Sequence, residues 1–197
     1  MISNEAFAAG FGVSLLGIPT GLAMARFAIA DRVVDPYLNI LLVAPTAVLI
    51  PILIIAVGLG LGSRVIIVVI FTIPLVVVNC HTAVRQIDPS LIEMAHSFGA
   101  SERQIWQRIL LPGALPGIMT GVRVGLGRAI QGMVIVELLM VAAGIGGLIQ
   151  QYKGFFAAES LYAMVILIIF EALIVVNLAR LFERRMAAWA QPARLSE

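Results

Sequence analysis

Four ionisable side chains lie in or beside long apolar stretches of this sequence, and they are the first candidates for chemistry. They are Arg123, Arg128, Glu137 and Glu171. A charge in hydrocarbon is costly, so such residues pair with one another, snorkel to the interface or face a cavity. Arg128 lies seven residues after Gly121, so we expect it on the same buried helical face. Two roles stay open for it: an ion pair with one of the carboxylates, or contact with a small anion.

No catalytic or metal-binding set accompanies these charges. Neither His81 nor His96 has a second His, Cys or carboxylate at a metal-ligand spacing. The sequence has no Walker A motif, no nucleophile elbow and no Gly-rich phosphate loop after a strand. We therefore expect no catalytic residue, no metal ion and no cofactor bound by this chain itself.

The elements that must position these charges are predicted from the composition. Of the 197 residues 61% are hydrophobic and 12% are charged, whereas soluble domains carry roughly a quarter charged residues. The stretches 6–25, 36–63 and 65–84 carry no charged residue. Such uncharged runs suit helices of about 20 residues, which cross a hydrocarbon core of roughly 30 Å. We predict an all-α polytopic membrane protein, a single domain over 1–197, with five spans at 6–26, 37–58, 64–84, 114–142 and 160–180.

The basic residues sort by membrane side rather than into one patch. Nine of the 13 lie in three connections, 26–36, 85–112 and the tail from Arg180, and two, Arg64 and Lys153, lie in the other connections. By the positive-inside rule, the loop 85–112 and the C-terminus are predicted to be cytoplasmic and the N-terminus outside. Since no basic patch is present, a nucleic-acid partner is not expected.

The segment 85–112 is predicted to be a structured cytoplasmic loop. Asp88 and Pro89 suit the start of a helix, and Gly99 suits the left-handed position at its end. The run Ser101–Gln104 has the form of a capping box, and Pro112 disfavours further helix. We therefore predict two short amphipathic helices that meet at a glycine. An amphipathic hairpin lying on the membrane surface is the alternative.

A stripe of glycines opens the fourth predicted span. Its members recur every four residues, at Gly113, Gly117, Gly121 and Gly125. Without side chains there, a second helix can approach closely. Packing within one subunit is favoured, and a seam between two subunits is the alternative.

The loop resembles the "EAA" signature of ABC importer permeases. The motif is Glu-Ala-Ala, three residues, Gly, nine residues, Ile, one residue, Leu-Pro, and this sequence departs from it at Met94. The resemblance implies that the loop couples the permease to a cytoplasmic ATPase. The positions to which it assigns that role are Glu93, Ala95, Gly99, Ser101, Ile109 and Pro112.

Further short motifs resemble the nitrate, sulfonate and taurine branch of these permeases. They are Gly17–Gly21, Asp35-Pro36, Ala44-Pro45, Gly58–Gly60 and Gly144–Gly146. The resemblance implies a multi-pass protein of the bacterial inner membrane that imports a small anion such as sulfonate, nitrate, taurine or bicarbonate. Its implied partners are a second permease subunit, with a homodimer favoured, two ATPases that hold ATP and magnesium, and an extracytoplasmic solute-binding protein. Members of this branch commonly have a further helix before the position of residue 1.

The expected mechanism is alternating access, in which ATP binding to the ATPases rocks the spans through the loop. Two other classes are weighed against it. A non-transporting membrane scaffold would use the loop merely to dock a cytoplasmic partner. An intramembrane enzyme would need a paired catalytic constellation, and the sequence shows none.

Overall fold

The computed structural model describes residues 4–58, 60–139 and 144–186, and within these ranges the chain is helical without strands. Four of the described helical stretches are long and apolar enough to cross a bilayer, or five if one bent pair counts as a span. The predicted all-α membrane fold is confirmed. The helices are α1 (Asn4–Ser14), α2 (Gly17–Arg26), α3 (Ala28–Val43), α4 (Thr46–Val57), α5 (Leu61–Arg85), α6 (Pro89–Ser97), α7 (Glu102–Ile105), α8 (Leu111–Leu139), α9 (Gly144–Gly154) and α10 (Ala158–Met186), with a π-helical segment (Trp106–Leu110) between α7 and α8.

Helix α5 lies at the centre of the fold and contacts α1, α2, α3, α4 and α8. Its residues Val68, Val76 and Cys80 are fully buried. Helices α1 and α2 form one candidate span, Phe7–Arg26, which packs along α5. The close approach depends on Gly21, because a Cβ there would lie 2.5 Å from the carbonyl oxygen of Val77.

The span predicted at 37–58 is broken in the structure, and it counts as a span only if the bent pair of helices is taken as one. Helix α3 ends at Val43 and α4 begins at Thr46, and the two helices are bent by 109°. Pro45 explains the break, since its ring disfavours helical geometry in the residue before it. Ala44 accordingly adopts φ −58° and ψ 135°.

The connection predicted at 26–36 is mostly helical. Only Phe27 interrupts the helix, with extended backbone at φ −116° and ψ 111°, and α3 then runs through Pro36. The amide of Asn39 donates to Asp35 Oδ2 at 2.8 Å, one turn apart. Such pairs stabilise a helix locally. The charged stretch 26–36, which was predicted to be a connection, therefore forms a surface helix instead.

The second short helix of the predicted loop does not stop at Pro112. Helix runs from Glu102 to Leu139 over 38 residues, about 57 Å in length. The π-helical segment immediately before the proline explains the continuation. There the Leu111 N–H donates to the carbonyl of Trp106, five residues back, and the wider turn relieves the clash that a proline ring causes in a regular α-helix.

The last third of the described chain is less enclosed. Helix α9 packs on α8 and α10. None of the apolar window of α10, within Ala158–Leu181, is buried inside the chain. An apolar helix with that exposure has its natural surroundings in lipid or in another transmembrane chain. The end of the predicted fourth span, 140–142, and Arg194 lie outside the described residues.

Candidate coupling loop and intramembrane arginine

Helix α6 begins with a side-chain cap at Asp88. Its Oδ1 accepts a hydrogen bond from the Ser90 N–H at 2.9 Å, and Pro89 occupies the first helical turn. The backbone hydrogen bond from Ser90, supported by the Ser90 hydroxyl, lowers the pKa of Asp88 below its ordinary value. The negative charge also suits the positive end of the helix dipole. The start of the loop is therefore fixed by local chemistry.

The end of α6 is a left-handed turn centred on Gly99. Its φ is +74°, and its N–H donates to the His96 carbonyl at 2.9 Å. The Ala100 N–H donates to the Ala95 carbonyl at 3.0 Å. These two bonds form a Schellman motif, which reverses the chain and satisfies the last carbonyls of the helix. The elbow between α6 and the long helix thus rests on a glycine.

The long helix starts with the predicted capping residues. The N–H of Ser101 donates to Gln104 Oε1 at 2.8 Å, and the Ser101 hydroxyl donates to the same oxygen at 3.1 Å. This arrangement satisfies polar groups at the helix start that otherwise have no partner within the helix.

The inner face of the loop belongs to the same hydrophobic cluster as three membrane helices. Ala95, Ile105 and Leu110 are buried in it, and Ile109 packs against it. The cluster continues through residues of α2, α5 and α8, among them Leu22 and Cys80. Pro112 is half-buried in the first turn of α8. The loop is therefore packed onto the membrane helices as one body rather than hanging free.

The outer face of the loop is apolar and exposed. The sequence predicted an amphipathic helix here, and of the apolar residues Leu91, Met94, Ala95 and Phe98 only Ala95 is buried. Met94 is 51% exposed and Phe98 is 83% exposed, with Leu91 exposed beside them. Glu93 is exposed on the same helix. An apolar patch with an acidic neighbour on a short projecting helix suits contact with another protein.

Two contacts at this end of the molecule were not predicted. The Arg26 guanidinium lies 5.1 Å from the centre of the Trp106 ring and 5.5 Å from that of Phe27. Asp31 of α3 lies 3.3 Å from His81 Nε2 and 3.7 Å from Arg85 Nη2, both on α5. The contact of Arg26 with Trp106 and those of Asp31 with His81 and Arg85 join residues more than 45 positions apart in the chain, so no local pattern could have revealed them.

The glycine stripe packs against α5 of the same chain. A Cβ at Gly121 would lie 2.7 Å from Asn79 Cβ, and a Cβ at Gly125 would lie 2.9 Å from Val76 Cγ2. Gly117 faces Ala83 in the same way, and Gly113 faces Ile87 more loosely. Helices α5 and α8 therefore meet at backbone distance along this stripe.

Glu137 is buried at the far end of α8. It is 3% exposed, and its Oε2 accepts a hydrogen bond from the Gly146 N–H at 3.3 Å. Gln150 of α9 donates to the Leu138 carbonyl at 3.0 Å. Glu137 thus helps to hold α9 against α8. Glu171 lies on α10 and is half-buried.

Arg128 is not buried on the glycine stripe, which corrects the expectation. It is exposed, and its Nη1 donates to Gln131 Oε1 at 3.3 Å. The reason is the drift of the stripe: each four-residue step advances about 40° around an α-helix. At the level of Arg128 the face toward α5 is formed by Gly125, Ala129 and Gly132 instead.

Arg128 and the two carboxylates are not brought together within the described part of the chain. Glu137 lies nine residues beyond Arg128, on the opposite side of α8 at about 100° per residue. The arginine instead lines a cavity of about 270 Å³ between α3, α5 and α8.

The sequence matches a known family over most of its length. A profile described as "binding-protein-dependent transport system inner membrane component" matches residues 17–188. The chain belongs to this family. As a member it is an inner membrane component of an ABC import system rather than an enzyme, since ATP hydrolysis in such systems belongs to separate subunits.

Curated relatives of this family include permeases for sulfur-containing solutes. The chain is 30% identical to the taurine transport system permease protein TauC of Escherichia coli, over 91% of the chain and 65% of TauC. It is 30% identical to the putative aliphatic sulfonates transport permease protein SsuC of the same organism, over 85% of the chain and 64% of SsuC. The chain thus spans just under two thirds of the length of these permeases.

The fold also matches a solved transporter. The structure titled as inward facing conformations of the MetNI methionine ABC transporter superposes with a TM-score of 0.73 at 23% identity. The match covers 96% of this chain and 92% of that one. At 23% identity this likeness establishes the fold of the present chain and no more.

Proposed function

We propose that this family member is the membrane-spanning permease of an ATP-driven importer, driven through the elbow at Gly99 by a separate ATPase that binds ATP and magnesium. The observation that carries the proposal is the construction of the loop. A capped helix projects an exposed apolar patch (Leu91, Met94 and Phe98) beside Glu93, and its inner face is buried among membrane helices. Such a loop can contact the ATPase through its outer face and transmit a displacement to the membrane helices through its inner face.

The mechanism that fits this construction is alternating access. The loop shares its hydrophobic cluster with α2, α5 and α8, and packed cores deform little. A displacement of α6 therefore moves these helices together, as a rigid body, rather than bending the loop. Two copies of the chain, rocking about a shared axis, would expose a path between them first to one side of the membrane and then to the other.

The proposed substrate is a small anion, such as a sulfonate, taurine, nitrate or bicarbonate, delivered by an extracytoplasmic binding protein. The names of TauC and SsuC support the sulfonate class. The exposed guanidinium of Arg128 within a membrane helix supports an anion rather than a cation.

The proposed orientation places the loop and the C-terminus in the cytoplasm. Arg26, Arg85, Arg103 and Arg108 all lie at or near the loop end of the helices, as the positive-inside rule requires of the cytoplasmic face. An engineered cysteine in α6 labelled in intact cells by a membrane-impermeant reagent would contradict this orientation.

Reconstitution tests the whole proposal. The chain is coexpressed with a candidate ATPase and binding protein from the same organism, and the complex is placed in liposomes. Importer function predicts ATP hydrolysis that rises with loaded binding protein, together with solute uptake. A scaffold would bind its cytoplasmic partner through the same loop but would show no uptake, and that result would reject the proposal.

A further inference from the structure

The cavity beside Arg128 combines one cation with apolar walls. It is a partly open cavity bordered by the end of α3 and the middle of α5, to which α8 contributes Arg128, and among its described lining residues Arg128 alone is charged. The walls include Leu41, Phe71 and Leu75. A solute held here would meet the guanidinium from α8 and apolar side chains from α3 and α5.

The cavity lies near the middle of the bilayer. Its lining residues Phe71 and Pro74 stand ten and thirteen positions after Leu61 in α5, a helix of 25 residues. Such a helix is about 37 Å long and spans the hydrocarbon core, so its centre marks the midplane. Arg128 therefore holds its charge at the depth where an unsolvated charge costs most.

A second costly feature lines the same cavity. Ala44 and Pro45, where α3 breaks from α4, belong to its wall, and Ala44 has left the helical conformation. Non-helical backbone at membrane depth is tolerated where protein buries it or where it lines a water-filled cavity. A broken helix and an exposed arginine are independent features, and their meeting in one cavity indicates that this cavity holds water or a polar solute.

We propose that Arg128 contacts the oxyanion group of the transported solute at this midplane cavity, while the apolar walls contact the rest of the solute. The inference rests on the proposed import function and assigns its anion-contacting residue. The guanidinium presents five N–H donors in a planar fork that matches sulfonate, nitrate or carboxylate oxygens. Its hydrogen bond to Gln131, at 3.3 Å, engages one donor and orients the group at the cavity wall.

Charge-removal variants of the complete complex test this site. Uptake of taurine, an alkanesulfonate, nitrate and bicarbonate, and of a cationic and an uncharged solute for comparison, is measured in liposomes for the wild type, Arg128→Gln and Arg128→Lys, over a range of solute concentrations. Arg123→Gln is the matched control, because Arg123 lies on α8 in a separate groove facing α10. Assembly is followed by size-exclusion chromatography, and ATP hydrolysis is recorded with loaded binding protein.

The expected result separates transport from assembly. Arg128→Gln lowers uptake roughly ten- to hundredfold, the value of a hydrogen bond to a charged group, while the complex assembles and loaded binding protein still stimulates hydrolysis. Arg128→Lys keeps the charge without the planar fork and gives an intermediate rate. Arg123→Gln transports at close to the wild-type rate.

Three outcomes would overturn the assignment. Wild-type uptake by Arg128→Gln would show that the guanidinium does not contact the solute. Failure of Arg128→Gln to assemble, reproduced by Glu171→Gln, would show an ion pair between subunits instead. A wild type that imports only a cation or an uncharged solute would reject the site and leave the importer standing, whereas a wild type that imports nothing would reject the proposed function itself.

Discussion

The guanidinium of Arg26 lies 5.1 Å from the centre of the Trp106 indole ring. Arg26 is the last residue of the first span, and Trp106 begins the π-helical segment that joins the loop to α8. The contact therefore links the first span to the junction through which a movement of the loop would be transmitted to α8.

Arg26→Ala is expected to loosen this tie. The lost cation–π contact lowers the free energy of unfolding by about 0.5–1 kcal/mol, the value for exposed sites. Because the contact lies between the loop and a span, uptake should fall more than ATP hydrolysis does. Thermal unfolding in detergent and uptake in liposomes measure the two effects. Arg32→Ala is the control, since Arg32 is an exposed basic residue on the neighbouring helix, and an equal loss in that variant would argue against a specific role for Trp106.

Gly99→Ala should uncouple the loop. The position needs a φ of +74°, and an L side chain pays about 1–2 kcal/mol in the left-handed region, although no atom lies within 4 Å of the new Cβ. The elbow then changes angle, and stimulation of ATP hydrolysis by loaded binding protein should fall severalfold. Gly99→Asn should be milder, because asparagine tolerates this region better. The matched control is Gly154→Ala, where the added Cβ meets open space without a positive φ; equal behaviour of the two alanine variants would refute the strained-elbow account.

Gly121→Val should separate α5 from α8. Its Cβ would lie 2.7 Å from Asn79 Cβ, so one helix has to shift, at a typical cost of about 1–3 kcal/mol for an overpacked core. A lower unfolding temperature of the purified protein is the expected result. Gly127→Val on the same helix faces open space and should keep the wild-type stability. If both variants unfold alike, close packing along the stripe is not what stabilises this pair.

The features that sequence could predict are those governed by neighbours a few residues apart. The cap at Asp88, the turn at Gly99 and the Ser101–Gln104 box each depend on bonds within one helical turn, and the structure has all three. The structure departs from the predictions where packing between residues distant in sequence decides the local structure. The 109° bend at Pro45 depends on how α3 and α4 pack against the other helices. The exposure of Arg128 depends on how the surface of α8 that contacts α5 winds around the helix.

The pH dependence of the loop should follow Asp88. Its folded pKa lies below the ordinary value because the Ser90 N–H donates to the ionised carboxylate. A depressed carboxyl pKa contributes stability that is fully present above the unfolded pKa of about 4 and is lost as pH falls through the lower folded value. Amide hydrogen exchange at the start of α6 should therefore accelerate as the pH is lowered from 6 toward 3, after correction for the intrinsic exchange rate. Asp88→Asn keeps a neutral cap and should abolish that pH dependence, because asparagine accepts the same hydrogen bond without titrating. A variant that retains the full dependence would assign it to another carboxylate, with Glu93 and Glu102 as the acidic groups of the loop to substitute next.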